Sequence, residues 1–301
     1  MKPLAVTLGD PAGIGPEVVF KALEGLDVPV WLFGSRAWSG DIPDGARFID
    51  VGGSGAVRYG EISAEYGRVA LDSIDLAVEA VAAGDCSALV TAPIHKQSIA
   101  AAGSKFPGHT ELLAHLTNST GPVMMLAHGG LRAVPVTIHV PIKDVPGLLT
   151  KELIVETIRV VAHDLRHRFG IANPQIGVAG LNPHAGEGGA IGREELEIIG
   201  PAVAQLQFEG IGVEGPLPAD TLFYPTHWAR FDAVVAMYHD QALIPIKTVA
   251  FEDAVNVTLG LPIVRTSPDH GTAFDLAGTG RASVASFLAA IEMADAMTAS
   301  P

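Results

Sequence analysis

The sequence predicts an α/β protein made of two lobes with mainly parallel sheets. Short apolar runs alternate with longer amphipathic segments along the 301 residues, which is typical of βα units. The short runs are apolar throughout rather than alternating with polar residues, as expected for strands that helices cover on both faces. At about 150 residues per domain, the length corresponds to two lobes.

Seven short apolar runs are predicted to form strands. Most are bounded directly by polar residues or by turn-forming residues such as glycine and proline, as strand ends usually are. The runs cover residues 4–8, 28–33, 88–91, 123–127, 133–138, 176–181 and 233–237.

Three long amphipathic segments are predicted to form helices, over residues 63–84, 150–170 and 283–297. In the first, Val69, Ile74 and Val81 recur at helical spacing. Gly84 and Gly170 are placed to end the first and second helices, because glycine readily adopts the left-handed conformation that follows a helix.

No Pro/Gly/Ser-rich linker separates the two lobes, so we expect them to be joined by chain crossings. We assign residues 1–120 together with 277–301 to a first α/β lobe, to which the last helix returns. Residues 121–276 form the second lobe, which contains His139, His184 and His239, three candidate metal ligands.

The composition excludes several classes of partner. The formal charge is 19 − 33 = −14, whereas proteins that bind nucleic acid need a basic surface. No apolar run is long enough to span a membrane, and no signal-peptide core follows the N-terminus. A single cysteine, Cys86, excludes an intrachain disulfide and indicates a reducing compartment. We therefore expect a soluble, cytoplasmic protein with no nucleic-acid or membrane partner.

One glycine pattern resembles a dinucleotide-binding fingerprint but occurs in the wrong context. Gly210, Gly212 and Gly215 complete a G-x-G-x-x-G motif. That fingerprint needs a strand before it and a helix after it. Here residues 194–208 are predicted to be a helix, and two prolines follow the motif. We interpret it as a helix-to-strand turn.

Three histidines stand where apolar runs end. His139, His184 and His239 each follow a predicted strand. Ligands of open α/β sheets bind beyond the carboxyl ends of strands, so these side chains can converge on one point. Three imidazoles suit Zn²⁺ and related divalent ions, and they leave a coordination position for substrate. The alternative is that each histidine caps a strand or binds a loop carbonyl.

A second group of residues suits an anion. His109 and Thr110 open a predicted helix, where backbone N–H groups favour negative charge. Further candidates are Lys247, Asn256 and Arg265, since lysine and arginine hold phosphate or carboxylate. Each could equally be solvated or structural. Asp220 and Asp240 are candidates for proton transfer. Asp10 lies in a predicted tight strand-to-helix turn, where it either shapes the turn or contributes to a site.

Six sequence blocks, in order along nearly the whole chain, carry a family resemblance. They are TLGDPAGIGPE at 7–17, TAPIHK at 91–96, GHTE at 108–111, LNPHAGE at 181–187, YHDQ at 238–241 and RTSPDHGT at 265–272. Together they resemble the 4-hydroxythreonine-4-phosphate dehydrogenases of vitamin B6 synthesis.

The resemblance implies a fold, an assembly and cofactors. It implies a homodimer of two-lobed subunits similar to isocitrate and isopropylmalate dehydrogenases. The active site would lie in the cleft between the lobes and be completed at the subunit interface. It implies one divalent metal ion (Zn, Mg or Co) on His139, His184 and His239. NAD or NADP would be the cofactor, held by residues that the sequence does not identify.

The resemblance also implies a reaction and its substrate contacts. 4-Phosphohydroxy-L-threonine would be oxidised at C3 to 2-amino-3-oxo-4-(phosphooxy)butanoate, which loses its carboxylate to give 3-amino-2-oxopropyl phosphate. The implied substrate contacts are His109, Thr110, Lys247, Asn256 and Arg265. The base would be Asp220, Asp240, Lys247 or a water molecule.

Three other functions are compatible with the same residues. The resemblance also allows the substrates of relatives of this family, which are other phosphorylated hydroxy acids, such as 4-phosphothreonate or 4-phosphoerythronate, or dihydrodiol carboxylates. A three-histidine metal site could also serve a hydrolase or an aldolase without nicotinamide. A non-catalytic binder of phosphorylated metabolites is the third possibility.

Overall fold

The computed structural model describes residues 2–299, and each predicted strand is present in it. The strands of this part of the chain are β1 (Leu4–Thr7), β2 (Val30–Gly34), β3 (Arg47–Asp50), β4 (Leu89–Thr91), β5 (Val123–His128), β6 (Leu131–Thr137), β7 (Gln175–Ala179), β8 (Gly212–Leu217), β9 (Ala233–Tyr238), β10 (Val255–Leu259) and β11 (Arg265–Pro268).

The three predicted long helices are confirmed as α2, α6 and α11 of the following set. The helices are α1 (Gly15–Leu23), α2 (Ala64–Ala82), α3 (Lys96–Ala101), α4 (His109–Leu116), α5 (Val145–Leu148), α6 (Lys151–His167), α7 (Gly200–Phe208), α8 (Ala219–Leu222), α9 (Pro225–Trp228), α10 (His239–Val249) and α11 (Ala285–Ala299). Helix α2 begins where the Ser63 hydroxyl accepts a hydrogen bond from the Glu65 N–H, and Thr150 caps α6 in the same way.

The chain divides into two α/β units. Unit 1 contains residues 2–122 and 255–299. Its strands follow the order β3-β2-β1-β4-β11-β10, and all neighbours are parallel except the antiparallel pair β10–β11. Strand β1 is buried along its whole length. Side chains of α2 pack on this sheet to form a core that includes Ile74, Val78 and Leu89.

Unit 2 contains residues 123–254. Its strands follow the order β5-β6-β9-β7-β8, and only β5 and β6 are antiparallel. The core includes Val234 and Ala236 of β9 together with Leu243 and Ile246 of α10. Both units therefore have the mainly parallel α/β architecture that the apolar runs predict.

The second boundary between the units falls earlier in the chain than the sequence suggests. The chain returns to unit 1 at Val255, not at residue 277. The reason is that β11 pairs in parallel with β4, Arg265 lying opposite Leu89, and β10 pairs with β11. Asn256 and Arg265 consequently belong to unit 1, whereas Lys247 belongs to unit 2.

The G-x-G-x-x-G motif is a helix-to-strand turn, as predicted. Helix α7 ends at Phe208, Gly210 has a φ of +79°, and β8 begins at Gly212. A side chain is strained at such a φ, so glycine suits this turn. Among the described residues, no helix is both long enough and apolar enough to cross a bilayer.

Candidate functional site

The three predicted metal ligands follow three strands that lie side by side. Strand β9 pairs in parallel with β6 on one side and with β7 on the other. Their carboxyl ends consequently lie at one edge of the unit 2 sheet. His139 comes two residues after β6, His239 begins α10 directly after β9, and His184 comes five residues after β7.

Two of these histidines are neighbours in space. The ring centroids of His139 and His239 are 5.5 Å apart. Both residues line a cavity of about 190 Å³, together with Thr137, Tyr238 and Asp240 among others. Imidazole nitrogens at this spacing offer the donor type that borderline divalent ions prefer.

His184 lies in an unusual turn. The backbone is left-handed at five consecutive residues, 184–188, with φ between 45° and 80°. His184, Ala185 and Glu187 are not glycines, and each such residue costs about 1–2 kcal/mol in this conformation. The His184 side chain is 65% exposed. Within residues 2–299, no three His, Cys, Asp or Glu side chains are grouped to hold a metal ion. A single chain therefore brings His139 and His239 together but not the complete trio.

A carboxylate orients the ring of two of the predicted ligands. Glu187 Oε2 lies 2.9 Å from His184 Nδ1, and Asp240 Oδ1 lies 2.8 Å from His239 Nδ1. When Nδ1 donates its proton to a carboxylate, Nε2 carries the free lone pair, as in carboxylate–histidine–metal arrangements. The donor set thus fits a divalent ion. The sequence-based reasoning did not identify this role of Glu187, although its position three residues after His184 was a usable signal.

Gln241 fixes the ends of two strands relative to each other. Its Oε1 accepts a hydrogen bond from Met237 N at 2.7 Å, and its Nε2 donates to Gly180 O at 2.7 Å. The first residue after β7 is thereby connected to the first turn of α10, which begins with His239. The sequence analysis likewise did not predict that Gln241 connects these two strand ends.

The candidate proton-transfer residues lie on three parts of unit 2. Asp220 is exposed on α8, which follows β8. Asp240 forms a hydrogen bond with His239 through Oδ1. Lys247 is half-buried on α10, eight residues after His239, which corresponds to about 12 Å along the helix axis.

Arg265 is a buried cation in unit 1 with neutral partners. It is 3% exposed, and its guanidinium donates to Thr258 Oγ1 at 2.9 Å and to Thr91 Oγ1 at 2.7 Å. Its Nε is buried without a partner, and within residues 2–299 it forms no ion pair. Burial lowers the pKa of Arg265 to about 10, so the group is charged at neutral pH. A buried charge without a counter-ion suits an anionic ligand.

His109 begins α4 near this cation. Its Nε2 is buried and has no hydrogen-bond partner among the described residues. Burial lowers the pKa of His109 well below its usual value, and the positive charge of Arg265 lowers it further, so the imidazole is neutral. Thr110 follows in the first turn of α4, and Asn256 lies on β10 opposite Ser267 of β11. Unit 1 thus brings His109 and Arg265 together, with Asn256 on the strand beside Arg265.

A third polar group is buried near the start of the chain. Asp10 is completely buried, and its Oδ1 accepts a hydrogen bond from Ala12 N at 2.9 Å, which closes a tight turn after β1. Its buried Oδ2 accepts no hydrogen bond of good geometry from the described residues. Burial raises the pKa of Asp10 despite the lowering effect of the Ala12 hydrogen bond.

Comparison with known proteins identifies relatives over the whole chain. The sequence model of a family described as "Pyridoxal phosphate biosynthetic protein PdxA" matches residues 27–294. The 4-hydroxythreonine-4-phosphate dehydrogenase of Bradyrhizobium diazoefficiens is 47% identical, over 99% of this chain and 97% of that protein.

Solved structures agree with this similarity. A 4-hydroxythreonine-4-phosphate dehydrogenase from Klebsiella pneumoniae superposes with a TM-score of 0.90 at 39% identity, covering 99% of this chain and 100% of that one. A terephthalate 1,2-cis-dihydrodiol dehydrogenase from Burkholderia xenovorans gives 0.71 at 33% identity, covering 98% of each chain. An isocitrate dehydrogenase from Methylococcus capsulatus gives 0.51 at 15% identity, covering 99% of this chain and 88% of that one, and thus shares the fold.

Proposed function

The chain belongs to the PdxA family of pyridoxal phosphate biosynthetic proteins, and on that premise we propose that it oxidises the C3 hydroxyl of 4-phosphohydroxy-L-threonine. Membership makes the chain an oxidoreductase. The reaction uses NAD or NADP as hydride acceptor and one divalent metal ion. The product, 2-amino-3-oxo-4-(phosphooxy)butanoate, is a β-keto acid that loses its carboxylate to give 3-amino-2-oxopropyl phosphate.

The observation that carries this proposal is the His139–His239 pair, with ring centroids 5.5 Å apart, beside a carboxylate that orients His239. These two histidines and His184 are the proposed ligands of Zn²⁺, Mg²⁺ or Co²⁺. When bound, such an ion supplies Lewis acidity that favours loss of the hydroxyl proton and polarises the resulting carbonyl.

Arg265 and its neighbours hold the anionic substrate. Its guanidinium is buried with no counter-ion in the part of the chain that the structure describes, and its planar fork of N–H donors matches phosphate or carboxylate oxygens. The neutral imidazole of His109 offers an unpartnered Nε2 for a further hydrogen bond. The remaining proposed substrate contacts are Thr110, Lys247 and Asn256.

The hydroxyl proton passes to a base on unit 2. Asp240 already accepts from His239 Nδ1, which supports a role in orienting that ring. Asp220 and Lys247 are therefore the favoured candidates for the base, acting directly or through a water molecule. Each can be tested by the pH dependence of turnover in the corresponding variant.

The proposed enzyme is a cytoplasmic homodimer whose active site is completed at the subunit interface. Exposed apolar side chains of the single chain include Ile142 (71%), which lines the same cavity as His139 and His239, and also Ile244 (63%) and Phe251 (79%). Covering them with a second copy would bury this apolar surface. The only cysteine, Cys86, is buried and free, which fits a reducing compartment.

The direct test is turnover by metal-stripped protein. We expect NADH to form from NAD⁺ and 4-phosphohydroxy-L-threonine only after Zn²⁺, Mg²⁺ or Co²⁺ is added, with NADP⁺ as the parallel assay. Sedimentation of the same sample measures the dimer. Absence of turnover with both cofactors and all three ions would contradict the proposed reaction.

One second candidate has a specific observation in its favour. The similarity to a terephthalate dihydrodiol dehydrogenase, at 33% identity and a TM-score of 0.71, supports testing a dihydrodiol carboxylate, alongside 4-phosphothreonate and 4-phosphoerythronate. Activity with the dihydrodiol alone would assign Arg265 to a carboxylate instead of a phosphate.

A further inference from the structure

The loop that carries His184 needs support from elsewhere in the chain. Five consecutive residues, 184–188, are left-handed, and three of them bear side chains that disfavour this conformation. The Ile191 N–H, three residues after this segment, donates to Gly186 O inside it. A strained segment of this kind persists only where its surroundings hold it in place.

A buried carboxylate lies against this loop. Glu195 is 4% exposed, and its Oε1 accepts hydrogen bonds from Leu181 N at 2.8 Å and Asn182 N at 2.7 Å. Its Oε2 accepts from Asn182 Nδ2 at 2.9 Å. The two backbone donors lie immediately before the turn, so the carboxylate fixes the path by which the chain enters it.

The packing around Glu195 is close on both sides of the loop. A Cβ atom added at Gly186 would lie 2.6 Å from Glu195 Oε2. One added at Gly180 would lie 3.1 Å from Glu195 Oε1 and 2.9 Å from Ala185 Cα. The carboxylate therefore contacts both the end of β7 and the left-handed turn, and glycine is needed at both points of contact.

In the described part of the chain, the charge of Glu195 is compensated by hydrogen bonds from Leu181 and Asn182. It forms no ion pair among residues 2–299. A buried carboxylate is costly unless its oxygens accept hydrogen bonds. Such a costly group is expected where it fixes a geometry that an apolar side chain could not fix.

The neighbouring Glu194 provides an internal comparison. Its Oε2 accepts from the same Asn182 Nδ2 at 2.7 Å and from Arg193 N at 3.0 Å. It is half-buried and makes no hydrogen bond to the backbone of residues 181–188. Two adjacent carboxylates thus share one side-chain donor, but only Glu195 holds the backbone that leads to His184.

We propose that Glu195 is a positioning residue, which holds the left-handed turn so that His184 is presented as a metal ligand. The inference rests on the proposed function, because it assumes that His184 binds the ion. Glu195 itself touches neither substrate nor metal in this proposal. Mutation of a residue that orients a metal ligand, without binding the metal itself, typically lowers metal affinity roughly 10- to 100-fold.

The test compares Glu195→Gln with Glu194→Gln in the full-length protein. For each, Co²⁺ affinity is measured by chelator competition, and amide hydrogen exchange is measured over residues 181–190. The amide group of Gln retains the size of Glu but presents a donor where the carboxylate accepts from Asn182.

We expect Glu195→Gln to lose roughly 10- to 100-fold in Co²⁺ affinity, and we expect the amides of residues 181–190 to exchange faster. Saturating Co²⁺ should restore much of the turnover. We expect Glu194→Gln to retain Co²⁺ affinity within about threefold, a change smaller than outer groups of metal ligands produce.

Two outcomes would overturn the positioning role. One is wild-type Co²⁺ affinity in Glu195→Gln, and the other is unchanged amide exchange in that variant. His184→Ala separates this failure from failure of the proposed function. If His184→Ala binds Co²⁺ as the wild type does, the metal assignment is wrong, and the positioning role of Glu195 falls with it. If His184→Ala loses Co²⁺ while Glu195→Gln retains it, only the positioning role is overturned.

Discussion

The imidazole rings of His139 and His239 lie with their centroids 5.5 Å apart, although 100 residues separate them in the sequence. Strand register explains this proximity. Thr137, the last residue of β6, pairs with Tyr238, the last residue of β9, so each histidine follows its strand at nearly the same level. Any change that shifts β6 against β9 would separate the two rings.

Replacing His239 with alanine should remove metal binding and turnover together. The change deletes a proposed ligand, so we expect Co²⁺ affinity to fall by more than about 100-fold, beyond the loss seen when only an outer partner is removed. Chelator competition and NADH formation measure the two effects. His163→Ala is the matched control because its ring is exposed on α6. Wild-type Co²⁺ affinity in His239→Ala would remove this residue from the proposed site.

Replacing Arg265 with lysine should weaken substrate binding selectively. Lysine keeps the positive charge but loses the fork that donates to Thr91 and Thr258 and is proposed to hold the anion. A hydrogen bond to a charged group contributes about 1.5–3 kcal/mol, so we expect substrate affinity to fall roughly 10- to 150-fold. Calorimetry with substrate and with NAD⁺ separates the two ligands. Equal losses for both would indicate that Arg265 is structural, and Arg159→Lys, an exposed position, serves as control.

His109 should make folding stability depend on pH. Burial and the charge of Arg265 lower the pKa of His109 in the folded state, whereas the unfolded chain takes up this proton near pH 6.5. As the pH falls through about 6.5, the unfolded state gains the proton first, so the free energy of unfolding decreases. His109→Gln removes this contribution, and its stability should fall less steeply between pH 7 and pH 5. Urea unfolding curves across that range measure the slope, and parallel curves for the two proteins would contradict the assignment.

Seven of the eleven strands in the described residues could be predicted from the sequence, because they depend on local patterns, whereas β3, β8, β10 and β11 were not predicted. Fully apolar runs fix buried parallel strands, and the three histidines follow three runs that prove to be neighbours in one sheet. The boundary at Val255 could not be placed in the same way. It depends on β11 pairing with β4 across more than 170 residues of chain, and no local pattern reports such a pairing.

The supporting residues of the site were harder to predict for a related reason. In the sequence, Glu195 is one of several acidic residues in the segment predicted to be a helix, 194–208. Only the folded chain shows that its carboxylate is buried against Leu181 and Asn182. Similarly, the sequence shows Arg265 only as a cation at the end of an apolar run. Its burial beside Thr91 and Thr258 depends on the pairing of β11 with β4. A sequence shows which side chains are charged, but it does not show which hydrogen-bond partners compensate that charge in the folded protein.

Replacing Ala185 with glycine should stabilise the protein, because the backbone at this residue is left-handed. Ala185 has a φ of 52°, and removal of its Cβ relieves about 1–2 kcal/mol of strain. The extra freedom of glycine in the unfolded chain costs about 0.4–1 kcal/mol. We therefore expect a net gain of about 1 kcal/mol in the free energy of unfolding, measured by urea denaturation at constant m-value.

A matched control for this change lies five residues further along the same loop. Ala190 has a φ of −77°, which alanine adopts without strain. The same substitution there should only add freedom to the unfolded chain, so we expect a loss of about 0.4–1 kcal/mol. Opposite signs at the two positions would demonstrate that strain is stored in the turn that carries His184. Equal losses at both would mean that the left-handed backbone at Ala185 carries no such strain.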